Sequence, residues 1–277
     1  MRCSAKKNTW LVESIRFMRC RMIQRHSAWL LGCLVLAPTT TWAELTQTQS
    51  SVIQCINLEQ FYSNQTLSFA LFHSSIPGQL ATTTHQFTLT EGGYAVSSSS
   101  EAKGLLTLFY SGQLTQSSEG KILPQQGLSP KVYREQRGNR PTQTSEVNHE
   151  KHNVFFSRTG QTTAWVSNAQ DRLSLIYQLS ALLKCLSPMG IPRLLSIPII
   201  TTSQLEYENF QLNQASLLLQ TTNQTLQTWV LSNQGSTKDE IIRLWFDRTS
   251  FRPLQIQIED SQGKQLTQVL KEAKPSF

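Results

Sequence analysis

Residues 169–186 are the stretch of this chain in which apolar side chains recur with a clear period of 3.6, with Leu173, Ile176, Leu179, Leu182, Leu183 and Leu186 on one face. Asn168 is placed as an N-cap and Asp171 lies three residues on, in capping-box spacing, while Ser187, Pro188 and Gly190 supply a stop. Most of the chain from residue 58 to 272 alternates apolar and polar residues instead. Leu67, Phe69 and Leu71 form one such face, and His85, Phe87 and Leu89 another. Turn chemistry separates these segments at Glu91-Gly92-Gly93, Gly127 to Pro130, Gly138-Asn139 and Ser261 to Gly263. One amphipathic helix among many short strands must bury its stripe on a sheet. The expected fold is therefore mainly β (α+β), a large curved antiparallel sheet of about 11–13 strands with that helix packed on it.

Two further features divide the polar Gln/Thr-rich stretch after the helix into predicted strands 205–212 and 216–220, and leave 104–110 as a short apolar turn bracketed by glycines. With no Pro/Gly/Ser linker inside it, 58–272 reads as a single domain, followed by a tail over 273–277.

The N-terminal 43 residues differ in kind. Arg2, Lys6, Lys7, Arg16, Arg19, Arg21 and Arg25 face the single acid Glu13, and an apolar run from Ala28 to Ala37 stops at Pro38. Small residues at Thr41 and Ala43 complete the pattern of a secretory signal peptide over 1–43, cleaved before Glu44. Met18 and Met22 are alternative translation starts that would give a leader of ordinary length. Cys33 also fits a lipobox, although apolar sequence continues beyond it, as in an ordinary leader. The run is too short to span a bilayer, so cleavage leaves no transmembrane segment, and residues 44–57 read as a polar tail.

Removing the leader changes what the composition means. The formal charge of +7 falls to +1 in the rest of the chain, where the signs are interspersed, which argues against nucleic acid as a partner. Of five cysteines only Cys55 and Cys185 remain. In an oxidising compartment they either pair or stand as separate thiols. A bridge would close a loop of about 130 residues and stabilise by roughly 4–5 kcal/mol in the chain-entropy account.

Motifs for chemistry are sparse. The sequence has no phosphate loop, no Cys-x-x-Cys, no His-Glu-x-x-His and no Gly-x-Ser-x-Gly elbow, and it points to no cofactor and no metal. His149 and His152 are spaced as ligands but lie in a polar turn with no third donor beside them. The pairs Asp239/Glu240 and Glu259/Asp260 adjoin strand ends, where neighbours point to opposite faces. A non-enzymatic protein is expected.

Four segments carry a family resemblance: 104–112 (GLLTLFYSG), 130–138 (PKVYREQRG), 169–179 (AQDRLSLIYQL), and the closing pair 244–247 (LWFD) with 252–254 (RPL). In content and order they resemble the bacterial exported family called domain of unknown function 3108, over roughly 58–272. That family has no established catalytic residues to transfer. Its similarity to periplasmic lipoprotein carriers implies a half-barrel that holds acyl chains against helices on its concave side. On this basis the chain is expected to be a periplasmic binding module for a lipid or other apolar ligand. Leu105, Leu106, Phe109, Leu173, Ile176, Leu179 and Leu183 are its candidate lining residues. The competing expectation is an envelope assembly factor that binds another protein through a sheet edge. Asp171 and Arg172, in the most specific motif, are read as structural: Asp171 caps the helix, and Arg172 pairs with a strand carboxylate such as Glu135.

Overall fold

The period-two segments form strands that join edge to edge into one sheet. Those before the helix are β1 (Gln65–His73), β2 (Ile76–Thr90), β3 (Gly93–Ala102), β4 (Leu114–Leu123), β5 (Gly127–Arg137), β6 (Gln143–Asn148), β7 (Asn153–Phe156), β8 (Gln161–Ala164) and β9 (Gln170–Asp171). The helix α1 (Ser174–Leu186) follows, and then come β10 (Leu194–Ile200), β11 (Leu205–Leu219), β12 (Gln224–Ser232), β13 (Ile241–Asp247), β14 (Pro253–Glu259) and β15 (Gln265–Lys274). The computed structural model describes residues 62–103, 113–124, 126–187, 190–233 and 240–274.

The sheet has fifteen strands in the order β8-β7-β6-β5-β4-β3-β2-β1-β15-β14-β13-β12-β11-β10-β9. This is the expected antiparallel architecture with a higher strand count. The first meander runs from β1 outward to β8, and the second runs from β10 inward to β15, which closes against β1 with Thr66 opposite Lys274. Between them the chain crosses from one edge strand, β8, to the other, β9, through residues 165–169. Six peptide steps span at most about 20 Å, whereas fifteen strands laid flat would extend about 65 Å. The sheet must therefore curl until its ends approach, in the sense its natural twist favours.

A small apolar cluster seals that approach. Val147, Val154 and Phe156 of β6 and β7 pack with Ala169 and with Ile200 of β10, and the half-buried Trp165 and Leu205 flank them. The Ser145 hydroxyl adds a 2.5 Å hydrogen bond to the Thr201 carbonyl across the same seam.

Inside the curl lies α1. Ten of its thirteen residues are buried, including polar Ser174 and Gln178. Its Leu175, Leu179, Leu182 and Leu183 belong to a core cluster with Phe69, Phe87, Tyr94, Leu128, Tyr133, Phe210, Leu231, Leu244 and Phe246 from strands on both sides.

Three local details depart from the sequence expectation. The helix begins at Ser174 rather than 169, because Asn168 adopts a left-handed φ of 64° and Gln170–Asp171 pair in parallel with Ile199 and Ile200 of β10. The cap is Asp171, whose carboxylate accepts the Leu173 and Ser174 amides at 2.9 and 2.8 Å, and not Asn168. The polar break at Asn213-Gln214 does not end a strand, and β11 runs unbroken for fifteen residues with continuous pairing to β12.

Cys185 is disulfide-bonded, and its partner lies outside the described residues. The expected partner is Cys55. Non-reducing peptide mass spectrometry of the protein should then find the Cys55–Cys185 linked peptide, and replacing both residues by Ser should lower the unfolding free energy by up to about 4–5 kcal/mol. Two free thiols would refute the pairing.

Candidate functional site

The concave side of the sheet and the helix within it form the candidate site. Four of the sequence-nominated lining residues, Leu173, Ile176, Leu179 and Leu183, are brought together there, 2%, 6%, 0% and 0% exposed. Leu105, Leu106 and Phe109 lie outside the described residues. The helix side chains meet the sheet directly. Two clefts among the described residues hold about 200 and 140 Å3. One is bounded by Gln86, Thr88, Ser97, Ser117 and Glu119, the other by Arg172, Glu206, Glu208 and Glu240, and neither is lined by the apolar residues of α1.

Polar tethers as well as apolar packing hold α1 in place. Asp171, fully buried, accepts a hydrogen bond from the Ser118 hydroxyl of β4, which also meets the Tyr94 hydroxyl at 3.1 Å. Burial pushes the Asp171 carboxyl above the ordinary carboxylate range, against the opposing pull of Ser118 and the two capping amides. Gln170 donates to the Leu128 carbonyl at 2.6 Å. One turn into the helix, Gln178 accepts from the Leu128 amide at 2.9 Å and the Tyr62 hydroxyl at 3.4 Å, and donates to the Gln126 carbonyl at 3.1 Å. Gly127 permits this approach: a Cβ there would lie 2.3 Å from the Gln178 amide oxygen, and its φ of 94° disfavours any side chain. Ser180 fastens the next turn to the Phe251 carbonyl at 2.6 Å.

Arg172 does not reach Glu135. It pairs with Glu240 at 2.9 Å beside the second cleft, because it sits at the β9 edge, next to β10 and β11, while β5 approaches from the other side. Glu135 takes Arg137 at 2.8 Å instead, and also accepts from Gln116 and Tyr133 at 3.1 and 3.2 Å. These partners, Arg137 above all, outweigh desolvation and hold its carboxyl below the ordinary range.

The histidines divide in the same way. His149 and His152 flank Trp165 in the turn after β6, at ring-centroid distances of 4.9 and 6.4 Å, and no group of three or more potential metal ligands occurs among the described residues. His85 is 2% exposed on the inner face of β2, tilted against Phe69 at 5.0 Å, and its Nδ1 has no hydrogen-bond partner. Desolvation lowers its pKa to about 4. Its burial was not legible from the sequence, where it appeared simply as one more residue of a strand face. Glu259, read as one of a carboxylate pair, is bonded to Arg243 at 2.7 Å, and Asp260 caps its own turn by accepting from the Gln262 and Lys264 amides.

No family model matches the chain, and no curated protein matches it. The resemblance to domain of unknown function 3108 thus has no family-model match beside it. Among solved structures, a domain classed as an outer membrane lipoprotein-sorting protein from Vibrio parahaemolyticus aligns with 7% identity and a TM-score of 0.21, covering 84% of this chain and 92% of that one. A LolA superfamily protein from Nitrosomonas europaea aligns with 10% identity and a TM-score of 0.17, covering 83% and 93%.

Two outcomes test this geometry. Asp171→Ala removes the Ser118 hydroxyl's acceptor, leaves two helix amides unsatisfied in the core and should cost about 2–3 kcal/mol in urea unfolding, whereas Asp171→Asn, which keeps an acceptor for the amides, should cost less than half of that. His85 is favoured neutral in the fold, so its contribution is fully present above the unfolded pKa near 6.5 and is lost as pH falls through about 4. Between pH 7 and pH 4 the wild-type protein should therefore lose about 3 kcal/mol more stability than a His85→Phe variant. Equal pH profiles would show that His85 is solvated.

Proposed function

We propose that this chain is a non-enzymatic binding module of the bacterial cell envelope whose cargo is a lipid or other apolar molecule, held between α1 and the inner face of the sheet. The observation that carries this reading is the enclosure itself. The one helix among the described residues, buried on nearly every side, is wrapped by one sheet that curls until its two ends meet over Val154, Phe156 and Ile200. The leader motif supports export to the periplasm, and no helix among the described residues is long and apolar enough to cross a membrane. The proposed lining is Leu173, Ile176, Leu179 and Leu183 from the helix, with Leu105, Leu106 and Phe109 from the segment between β3 and β4.

A second reading has one observation in its favour. The edge strand β8 has all four residues exposed, and no described strand pairs with its outer side. An envelope protein partner could add a strand there.

Native mass spectrometry of protein purified from the envelope decides between them. The cargo reading expects a co-purifying lipid mass and uptake of a fluorescent fatty acid by the stripped protein. A clean apo mass with no uptake overturns it, and a single protein adduct at β8 after crosslinking in intact cells would put the second reading in its place.

A further inference from the structure

The inner face of β2 to β5 carries a row of polar side chains where a closed core would carry apolar ones. His85, Ser98, Gln116 and Glu135 are successive Cα partners across these four strands. Each lies two residues from the next row, Phe87, Val96, Ser118 and Tyr133, all 1% exposed or less. Residues two apart on a strand share a face, so the polar row points to the same side as the core and extends about 15 Å across it. One row further out are Thr83 and Ser100, whose hydroxyls bond each other at 2.9 Å. On the opposite half of the sheet the inner side chains include Ile197, Phe210, Leu231, Leu244 and Ile256, with the buried Glu208 opposite Ile197.

Core-facing polar groups are costly unless they are satisfied. At the β5 end they are: Gln116 donates to the Tyr133 hydroxyl at 2.8 Å and to Glu135 at 3.1 Å, and Glu135 is matched by Arg137. At the β2 end they are not. His85 Nδ1 is buried without a partner, and so is the hydroxyl of Tyr177 on α1, whose ring lies tilted against Phe87, two residues from His85, at 4.8 Å. Two separate elements thus leave polar atoms unsatisfied in the same part of the concave face, with the Ser98 hydroxyl directly opposite His85.

From this placement we infer that His85, Ser98 and Tyr177 form a subsite for an uncharged, hydroxyl-bearing headgroup of an amphipathic ligand. The chemistry selects the class. A neutral imidazole offers one donor and one acceptor, and each hydroxyl offers both, which suits an alcohol or polyol. A carboxylate or phosphate would be buried here with no free cation, because Arg137 is already paired with Glu135, and an ammonium would meet only Asp171, one row away and already held by Ser118 and two helix amides. The inference rests on the cargo reading above and narrows it from apolar molecules in general to neutral amphiphiles such as acyl glycerols.

The test is displacement of a fluorescent fatty acid from the full mature chain by four ligands with one eighteen-carbon tail: oleoyl glycerol, oleate, oleylamine and octadecene. Oleoyl glycerol should bind about tenfold more tightly than the other three, a preference worth one or two buried hydrogen bonds. His85→Phe and Ser98→Ala should each bring it to within about threefold of octadecene and leave the other ligands unchanged. Ser98→Ala keeps the test informative if the larger change at His85 impairs folding. Equal binding of all four ligands, or a preference that survives both substitutions, overturns the subsite and leaves the cargo reading standing. Failure of every ligand and of the fluorescent fatty acid overturns both.

Discussion

Five residues, 165–169, join the two opposite edges of a fifteen-stranded sheet, and the rest of the structure depends on that short tie. A flat sheet could not satisfy it, and a sheet curled to satisfy it acquires an inside. The inside needs filling, and α1 follows the tie in sequence directly after the two residues of β9. The parallel pairing of Gln170–Asp171 with β10 starts the second meander beside the end of the first. Connectivity, curvature and core therefore have a common origin. The apolar patch of Val147, Val154, Phe156 and Ile200 is the packing that makes the closure favourable in water.

Filling the curl with one helix raises a problem of registration, since leucines alone tolerate sliding and rotation. The polar contacts of α1 remove that freedom. Asp171 fixes its first turn to Ser118, Gln178 fixes the second to the Gln126–Leu128 backbone, and Ser180 fixes the far side to Phe251. Each of these joins the helix or its cap to an element distant in sequence. Gly127 shows how closely fitted the contact is, because even a methyl group there would collide with the amide it accommodates. A core assembled this way has a defined orientation, and any property that depends on which helix face meets which strand inherits it.

The sequence disclosed what periodicity can carry. The helix stripe, the alternating strands and the turns at Gly92 and Gly263 identify a mainly antiparallel sheet around one helix, and the structure has that architecture. It could not disclose pairing between distant segments. Arg172 seemed free to choose Glu135 until the crossover placed it beside β10 and Glu240. β9 consists of two residues and leaves no periodic trace, and a helix beginning at 169 looked sound because Asn168 and Asp171 satisfied a capping pattern that the backbone used one turn later. Among the candidate site residues, the helix leucines were legible from their spacing alone. The row from His85 to Glu135 was not, since its members are spread over fifty residues and become neighbours only through the register of three hairpins.

Energetic scale limits where a cargo can lie. Leu173, Leu175, Ile176, Leu179, Leu182, Leu183 and Leu186 are all buried, and at about 1.5–3 kcal/mol for each side chain their burial represents roughly 10–20 kcal/mol. A ligand of micromolar affinity supplies about 8 kcal/mol, which is too little to expel the helix even before its polar tethers and the disulfide at Cys185 are counted. A cargo must then be accommodated beside α1 and not in place of it. The half of the concave face over β10 to β15 carries Ile197, Phe210, Leu231, Leu244 and Ile256, with the second cleft near its β10 edge lined by Glu206, Glu208 and Glu240. The half over β2 to β5 carries small polar side chains, Thr83, Ser98, Ser100 and Ser118 among them, beside the large rings of Phe87, Tyr94 and Tyr133. Beside α1, His85 and Tyr177 leave hydrogen-bonding capacity unused on that second half, so a ligand seated there has polar contacts to gain.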